Sequence, residues 1–444
     1  MAVIIDRDSQ IPMYEQIYMN MRNDILSGLM KEGEKLPSKR VLAERLRVSK
    51  ITVENAYAQL IAEGYVRSTE RSGYYVQYTG GAFELPKAVK PNGNIRNIPV
   101  VDTVKEEGNL EMFPFSVWSR LMRSVISEKG TALLKSVRNG GAYELRSAIS
   151  GYLYRSKGFY QPPERIIVGS GSEYMYNMLI QFIGGDKKYG YENPGLVNLS
   201  KIFALNRIDC SPIKIDEQGL KTSELYEKKI QVAHTSPAHQ YPTGIVMPIS
   251  RRREIMRWME DTGGYVIEDD YDGEFRWSGK PIPTMFGADR TGRIIYMKTF
   301  SQTISPTIRI SYICLSEELY ELWCEKLGFY SCSVPVLEQY TLAEFISGGF
   351  YERNINRSRK HYRKIRDLLL QKAASCSEFK FYGTDAGLHI VFRIPEYNEK
   401  VDSYFKRCRL VVRRLSDFCL DGIKCDDDLF VVYFANAIAE EILK

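Results

Sequence analysis

Gly171 and Ser172 close the short run Ile166-Ile167-Val168-Gly169-Ser170 and precede a helix-like stretch. Backbone N–H groups at such a strand-to-helix junction are free, and together with the helix dipole they suit an anion. Asp269 follows Tyr265-Val266-Ile267 and Glu268, so it emerges at a predicted strand end, where open parallel sheets bind ligands. A cradle for an anion and a carboxylate at a strand end suggest a pocket for a phosphorylated or otherwise anionic small molecule. The plain alternatives are a helix cap and a solvated acidic loop from Glu268 to Asp272. A second chemistry lies near the N-terminus. Lys35, Lys39, Arg40, Arg45, Arg47 and Lys50 crowd one stretch, opposed within it only by Glu44. Such a cluster suits a phosphate-facing surface, although a solvated helix face has the same composition.

Composition narrows the class. A chain of 444 residues predicts two or three domains, and 44% hydrophobic with 26% charged residues is ordinary for a globular protein. The net charge of +6 is too mild to decide a partner. No apolar stretch approaches the roughly 20 residues of a membrane helix. Met1 to Gln10 lacks an apolar signal core, so the expectation is a cytoplasmic protein with no membrane partner. The eight cysteines are scattered without a CxxC pair, which predicts reduced thiols and no metal site.

The elements that must position the basic cluster are helices. Met13, Ile17, Met21, Ile25 and Leu29 recur at helical spacing across residues 11–30. Ser38 is placed to cap a second helix, with Val41, Leu42 and Leu46 inward. Ser49 caps a third, running through Val53, Ala56, Tyr57 and Leu60 to Gly64. Two β-prone runs, Tyr65 to Ser68 and Tyr74 to Tyr78, flank Ser72-Gly73 as a hairpin. Three helices and a hairpin is the winged helix-turn-helix order, with the third helix expected in the major groove of double-stranded DNA. The strings Lys35-Leu36-Pro37-Ser38-Lys39-Arg40, Leu42-Ala43, Val48-Ser49-Lys50-Ile51-Thr52-Val53 and Leu60-Ile61-Ala62-Glu63-Gly64 resemble the DNA-binding domain of GntR-type bacterial repressors. That resemblance implies DNA contacts from Ser38, Arg40, Ser49, Lys50 and Thr52, with Arg71 and Gly73 in the wing. Glu54 stands where many relatives carry a basic residue.

This head is expected to span residues 1–79, followed by a Gly- and Pro-bearing linker over 80–99. From residue 100 to 444, strand-like runs at Ile166 to Gly169, Tyr265 to Glu268, Ile294 to Met297 and Tyr312 to Leu315 alternate with amphipathic stretches. That alternation predicts an α/β body with a mostly parallel sheet. Mixed strands and helices toward the C-terminus suggest a smaller α+β lobe from about residue 335. Ordered motifs run through the body: Gly108-Asn109-Leu110, Gly140-Gly141-Ala142-Tyr143-Glu144-Leu145-Arg146, Glu192-Asn193-Pro194-Gly195, Pro237-Ala238-His239-Gln240-Tyr241-Pro242-Thr243-Gly244, Glu268-Asp269-Asp270-Tyr271-Asp272, and Thr299-Phe300-Ser301-Gln302 through Arg309. Together they resemble the fold-type I aminotransferases, most closely the aminotransferase-like domain of MocR/GabR regulators, over practically the whole body.

The resemblance implies a pyridoxal 5'-phosphate site. Gly171 and Ser172 would cradle the phosphate with help from Thr299 and Arg309, Asp269 would face the pyridine nitrogen, and Tyr271 would donate to the ring oxygen. Gln302 stands where the Schiff-base lysine belongs, and glutamine can neither condense with an aldehyde nor carry the α-proton. Lys298 is four residues too early. Leu196 and Asn198 depart from an aromatic ring and an arginine that relatives place there. The resemblance implies a DNA-binding regulator that forms a homodimer through this body and takes a small-molecule effector, and the departures imply that the body is catalytically silent and holds any cofactor without a covalent bond. Two readings stay open beside it: a working aminotransferase carrying a DNA-binding domain, and a purely structural dimerising body.

Overall fold

The computed structural model describes residues 5–7, 9, 11–70, 72–77, 112–277, 283–375, 379–420 and 426–443. The chain divides into two units between Val100 and Val101. The expected linker over 80–99, Arg71 and Gly108-Asn109-Leu110 lie outside the described residues.

In the first unit, α1 (Met13–Leu26), α2 (Lys39–Leu46) and α3 (Lys50–Ala62) precede the antiparallel strands β1 (Val66–Thr69) and β2 (Gly73–Val76). Ser38 and Ser49 cap α2 and α3, their hydroxyls accepting from the backbone N–H of Val41 and Thr52. Such caps are worth about 1 kcal/mol each. Ile17, Met21 and Ile25 of α1 pack on Val53, Ala56, Tyr57 and Leu60 of α3. Two expectations shift. The first helix stops at Leu26, and Gly28 takes φ 77° in the turn that follows, leaving Leu29 exposed. Val41 points outward, because Leu42 and Ala43 fill the inward face of α2.

The second unit is built on a large sheet. After α4 (Phe115–Lys129) and α5 (Tyr143–Lys157) come β3 (Ile166–Gly169), α6 (Ser172–Ile183), β4 (Tyr189–Asn193), α7 (Val197–Leu205), β5 (Cys210–Asp216) and β6 (Gly219–Leu220). They are followed by β7 (Val232–Thr235), β8 (Tyr265–Asp269), β9 (Ile294–Thr299) and β10 (Ser311–Cys314). The strand order is β3-β10-β9-β8-β7-β4-β5-β6. Strands β9, β8, β7, β4 and β5 are parallel, whereas β10 runs against both β9 and β3. Helices cover both faces, so alternate residues are buried on opposite sides. Ile166 and Val168 enter one cluster and Ile167 the other; Tyr296 parts likewise from Ile295 and Met297. This burial on both faces explains why the strands appear in the sequence as unbroken apolar runs. The interior strand β4 escapes that signature: Tyr189-Gly190-Tyr191-Glu192-Asn193 is wholly buried yet polar in its last two residues.

A second sheet, β11 (Lys380–Tyr382), β12 (His389–Arg393), β13 (Val411–Arg414) and β14 (Leu429–Tyr433), is antiparallel in the order β11-β12-β14-β13. The long helix Phe350–Ala374 joins the two layers. Tyr351 and Ile355 pack in the large-sheet core, and Tyr362, Ile365 and Leu369 in the lobe core. Among the described residues no helix is long and apolar enough to cross a membrane. The expectation of reduced thiols holds for Cys210, Cys314, Cys324, Cys332 and Cys408. It fails at Cys419, which is disulfide-bonded.

Candidate functional site

Strand register brings together the residues expected to form an anion cradle. Ser311, the first residue of β10, pairs with Gly169 on one side and Thr299 on the other. Arg309 lies two residues before Ser311, and Gly171-Ser172 two to three after Gly169, so all of them gather at one sheet edge. Asp269, at the end of β8 beside β9, opens on the same edge, as expected for the carboxyl ends of parallel strands. A pocket of about 510 Å³ results, lined by Ser172, Asp269, Tyr271, Thr299, Gln302 and Arg309 among others.

Gly171 caps α6 with φ 89° and ψ 167°, a conformation open to glycine alone. A Cβ there would stand 2.4 Å from Nη2 of Arg309, so the guanidinium lies directly over the loop. Gly171→Ala is therefore expected to cost about 1–3 kcal/mol of stability and to push Arg309 off the cradle. A urea midpoint indistinguishable from that of the unsubstituted chain would refute this. Arg309 is paired with Glu173, and both side chains are about half exposed. An ion pair so wet is worth no more than about 1 kcal/mol, so an incoming phosphate can take the guanidinium from it.

At the other end Asp269 is buried, and its Oδ2 accepts from the Tyr176 hydroxyl at 2.7 Å. Burial and the Asp269 charge hold the Tyr176 phenol well above its usual range, so it remains a donor. His234 Nε2 stands 3.0 Å from the same hydroxyl and 3.7 Å from Asp269. Tyr271 lines the pocket with its hydroxyl 2.9 Å from His239 Nδ1. Glu192 borders the pocket too, and burial pushes its carboxyl up despite bonds from Thr235, Ser236 and Gln240.

Gln302 lies in this pocket with no amine to offer. Lys298 does not reach it. Its Nζ is wholly buried and bonds Glu274 Oε2 at 2.6 Å and the Asp270 carbonyl at 2.8 Å. Burial alone would lower its pKa, but the charges of Asp270 and Glu274 outweigh burial and raise it. Those partners lock the ammonium as a cation, and a cationic amine is no nucleophile. Leu196 and Asn198 also line the pocket, at the positions where a ring and an arginine are absent. Lys201, one helical turn beyond Asn198, is the lysine among the described pocket residues.

On the first unit, Ser38, Arg40, Ser49 and Lys50 are exposed around α2 and the start of α3. Thr52 is half-buried, its hydroxyl 2.8 Å from Ser49 Oγ. Gly73 opens β2 at φ 120°, where a Cβ would come within 3.1 Å of the Lys35 stem. The basic cluster is less uniform than its sequence. Arg40 pairs with Glu44, and Lys39 with Glu54 of the next helix at 2.5 Å. Glu54 thus braces α2 against α3 from the exposed face of α3.

Residues 13–76 match the family described as bacterial regulatory proteins, gntR family, and residues 107–423 match aminotransferase class I and II. The HTH-type transcriptional regulator YdeL of Bacillus subtilis is 35% identical over 402 residues, covering 88% of this chain and 86% of its own. The "Probable rhizopine catabolism regulatory protein MocR" of Rhizobium meliloti is 28% identical, covering 81% and 77%. The chain belongs to the MocR/GabR subfamily of GntR-type transcription regulators. This MocR/GabR regulator is thus a DNA-binding protein whose second unit has the aminotransferase fold. An archaeal alanine:glyoxylate aminotransferase shares that fold with a TM-score of 0.66 and 21% identity, covering 76% of the regulator and 86% of the enzyme.

Several pocket residues of the regulator carry no mark in the sequence. Tyr176 and His234 flank Asp269, and Arg413, Asp417 and Phe418 enter from the C-terminal lobe. Only pairing of β7 with β8 reveals His234, and no local pattern marks Arg413.

Proposed function

We propose that this regulator binds operator DNA as a homodimer formed through its second unit, and that its pocket takes pyridoxal 5'-phosphate or a related anion as a non-covalent effector, without turnover. The observation that carries the reading is Gln302, set among Asp269, Tyr271, Thr299 and Arg309 while Lys298 is held elsewhere as a cation. Aminotransferase class I and II proteins ordinarily work with pyridoxal 5'-phosphate, which when bound to a lysine supplies an electron sink for amino-acid chemistry. The residues here fit its phosphate and its ring. First-turn N–H groups of α6, the Ser172 and Thr299 hydroxyls and Arg309 hold the anion, and Asp269 offers its charge to a protonated ring nitrogen. What the chain lacks is the tether.

The experiment is titration of the full-length protein with pyridoxal 5'-phosphate, followed by borohydride reduction and peptide mapping. Saturable binding with no lysine adduct supports the reading. An absence of binding favours a purely dimerising body, and turnover of amino acids with an adduct favours the enzyme.

In the head, α3 enters the major groove with Lys50 and Thr52 at its start, and Ser38, Arg40 and Ser49 face the flanking phosphates. Gly73 opens the second strand of the wing, and the resemblance implies a further DNA contact from Arg71. Such a protein works beside the chromosome, in the cytoplasm. Glu54→Gln removes a negative charge from the DNA-facing helix and frees Lys39. Affinity for non-specific duplex is expected to rise roughly 3- to 10-fold at low salt and to converge with the parent at high salt. Fluorescence anisotropy against salt checks it, and an unchanged affinity at low salt would place Glu54 away from the DNA.

A further inference from the structure

The long helix Phe350–Ala374 buries one face in the two cores it joins and turns the other to solvent. Its outward charge is one-sided. Of the fourteen residues from Arg353 to Arg366, seven are lysine or arginine and none is acidic. The whole chain nets only +6, so this one stretch carries the positive excess and the rest is close to neutral.

A solvated helix face ordinarily mixes signs, because opposite charges three or four residues apart attract. The helix Glu399–Arg407 does so, with Asp402 on Lys406. Here Arg353 and Arg357, Arg359 and Arg363, and Lys360 and Lys364 set like charges at that spacing, which works against the helix. The flanking acids do not relieve it. Glu352 pairs with Arg155, and Asp367 with Arg366. Arg357, Arg359 and Arg363 bond the backbone carbonyls of Met112, Glu274 and Trp277. A carbonyl orients a guanidinium without cancelling its charge. Lys360 and Lys364, one turn apart, are exposed and have no hydrogen-bond or ion-pair partner among the described residues.

Arg357, Lys360, Arg363 and Lys364 line one open groove of about 640 Å³, in which Asp367 is the acidic lining residue. From Arg357 to Lys364 the helix rises about 10 Å. Duplex DNA carries one negative charge per roughly 3.4 Å along each strand, so the row spans two or three phosphates of one backbone. A compact anion would engage only part of it. We infer that this face of the second unit is a further contact for duplex DNA, made to phosphates without regard to sequence and additional to the contact made by the head. The inference rests on the DNA-binding reading of the chain, which brings a duplex within reach, and on nothing in the cofactor pocket.

The test uses the full chain and a non-specific duplex several helical turns long, with anisotropy titrations across a salt series. Lys360→Gln combined with Lys364→Gln removes two charges and no bonded group. The slope of log affinity against log salt should become shallower by about 1.8, and affinity at 0.1 M salt should fall roughly 10- to 50-fold. Lys214→Gln combined with Lys229→Gln changes the net charge equally at exposed positions beside β5 and β7, and should leave the slope as it was. An unchanged slope in the helix pair overturns the inference, and so does an equal loss in the control pair. Lys50→Gln in the head separates the two readings: weaker binding there with no effect of the helix pair removes the further contact alone, whereas a parent that binds no duplex removes both. Acetylation with peptide mapping gives a direct readout. Saturating duplex should protect Lys360 and Lys364 and leave Lys214 and Lys229 reactive. Full protection before DNA is added would mean that an acidic stretch of the chain itself, such as Glu106-Glu107, covers this face, and would overturn the inference.

Discussion

Gln302→Lys should give the pocket, proposed above to take pyridoxal 5'-phosphate without a covalent bond, an amine that traps it. The substituted amine would extend from the Thr299-to-Arg309 segment into a pocket that already contains the anion cradle and Asp269. Borohydride reduction should then fix close to one cofactor per chain on residue 302, against none there in the parent. The expected change is all or none, since an amide cannot form the bond at all. Lys201 supplies the internal control, being an exposed lysine that lines the same pocket. Labelling of Lys201 in the parent would mean that the tether has moved rather than vanished, and would overturn the non-covalent reading. A Gln302→Lys variant that binds cofactor yet gives no adduct would show that the aldehyde faces away from this segment.

Asp269→Asn tests the ring end of the pocket. The change is nearly isosteric, and the amide oxygen can still accept from Tyr176, so the buried Tyr176–His234 packing should survive. What disappears is the buried carboxylate that the proposed function sets against the ring nitrogen. A hydrogen bond to a charged partner contributes about 1.5–3 kcal/mol, so affinity for pyridoxal 5'-phosphate should fall roughly 10- to 150-fold. Inorganic phosphate, which meets only the cradle, should bind nearly as before. Operator affinity in the absence of effector should hold, which confirms the fold. Equal losses for both probes would indicate a collapsed pocket, and equal affinity for pyridoxal 5'-phosphate would place its ring away from Asp269.

Local chemistry in the head was largely legible. Ser38 and Ser49 have the right residue type in the right place, and both cap as their sequence setting implies. Val41 misled because a short helix has few apolar positions to define its inward face. In the body, buried strands β3, β8, β9 and β10 announce themselves through apolar runs, while β4 hides behind tyrosines and polar residues that tertiary partners satisfy.

Read along the chain, the residues yield the two-part architecture, the family, a set of candidate pocket residues that includes Asp269, and the absence of lysine at position 302. These are signals of residue type and order, carried within single segments. Which charges meet is settled only in the folded protein. Folding sets Lys298 against Glu274 and Asp270 inside the core, Glu54 against Lys39 across two helices, and Glu173 against Arg309 at the mouth of the cradle. It also brings His239, Asp272 and His389 together from segments far apart in the chain. Long-range proximity follows from strand order and register, which no short stretch of residues encodes.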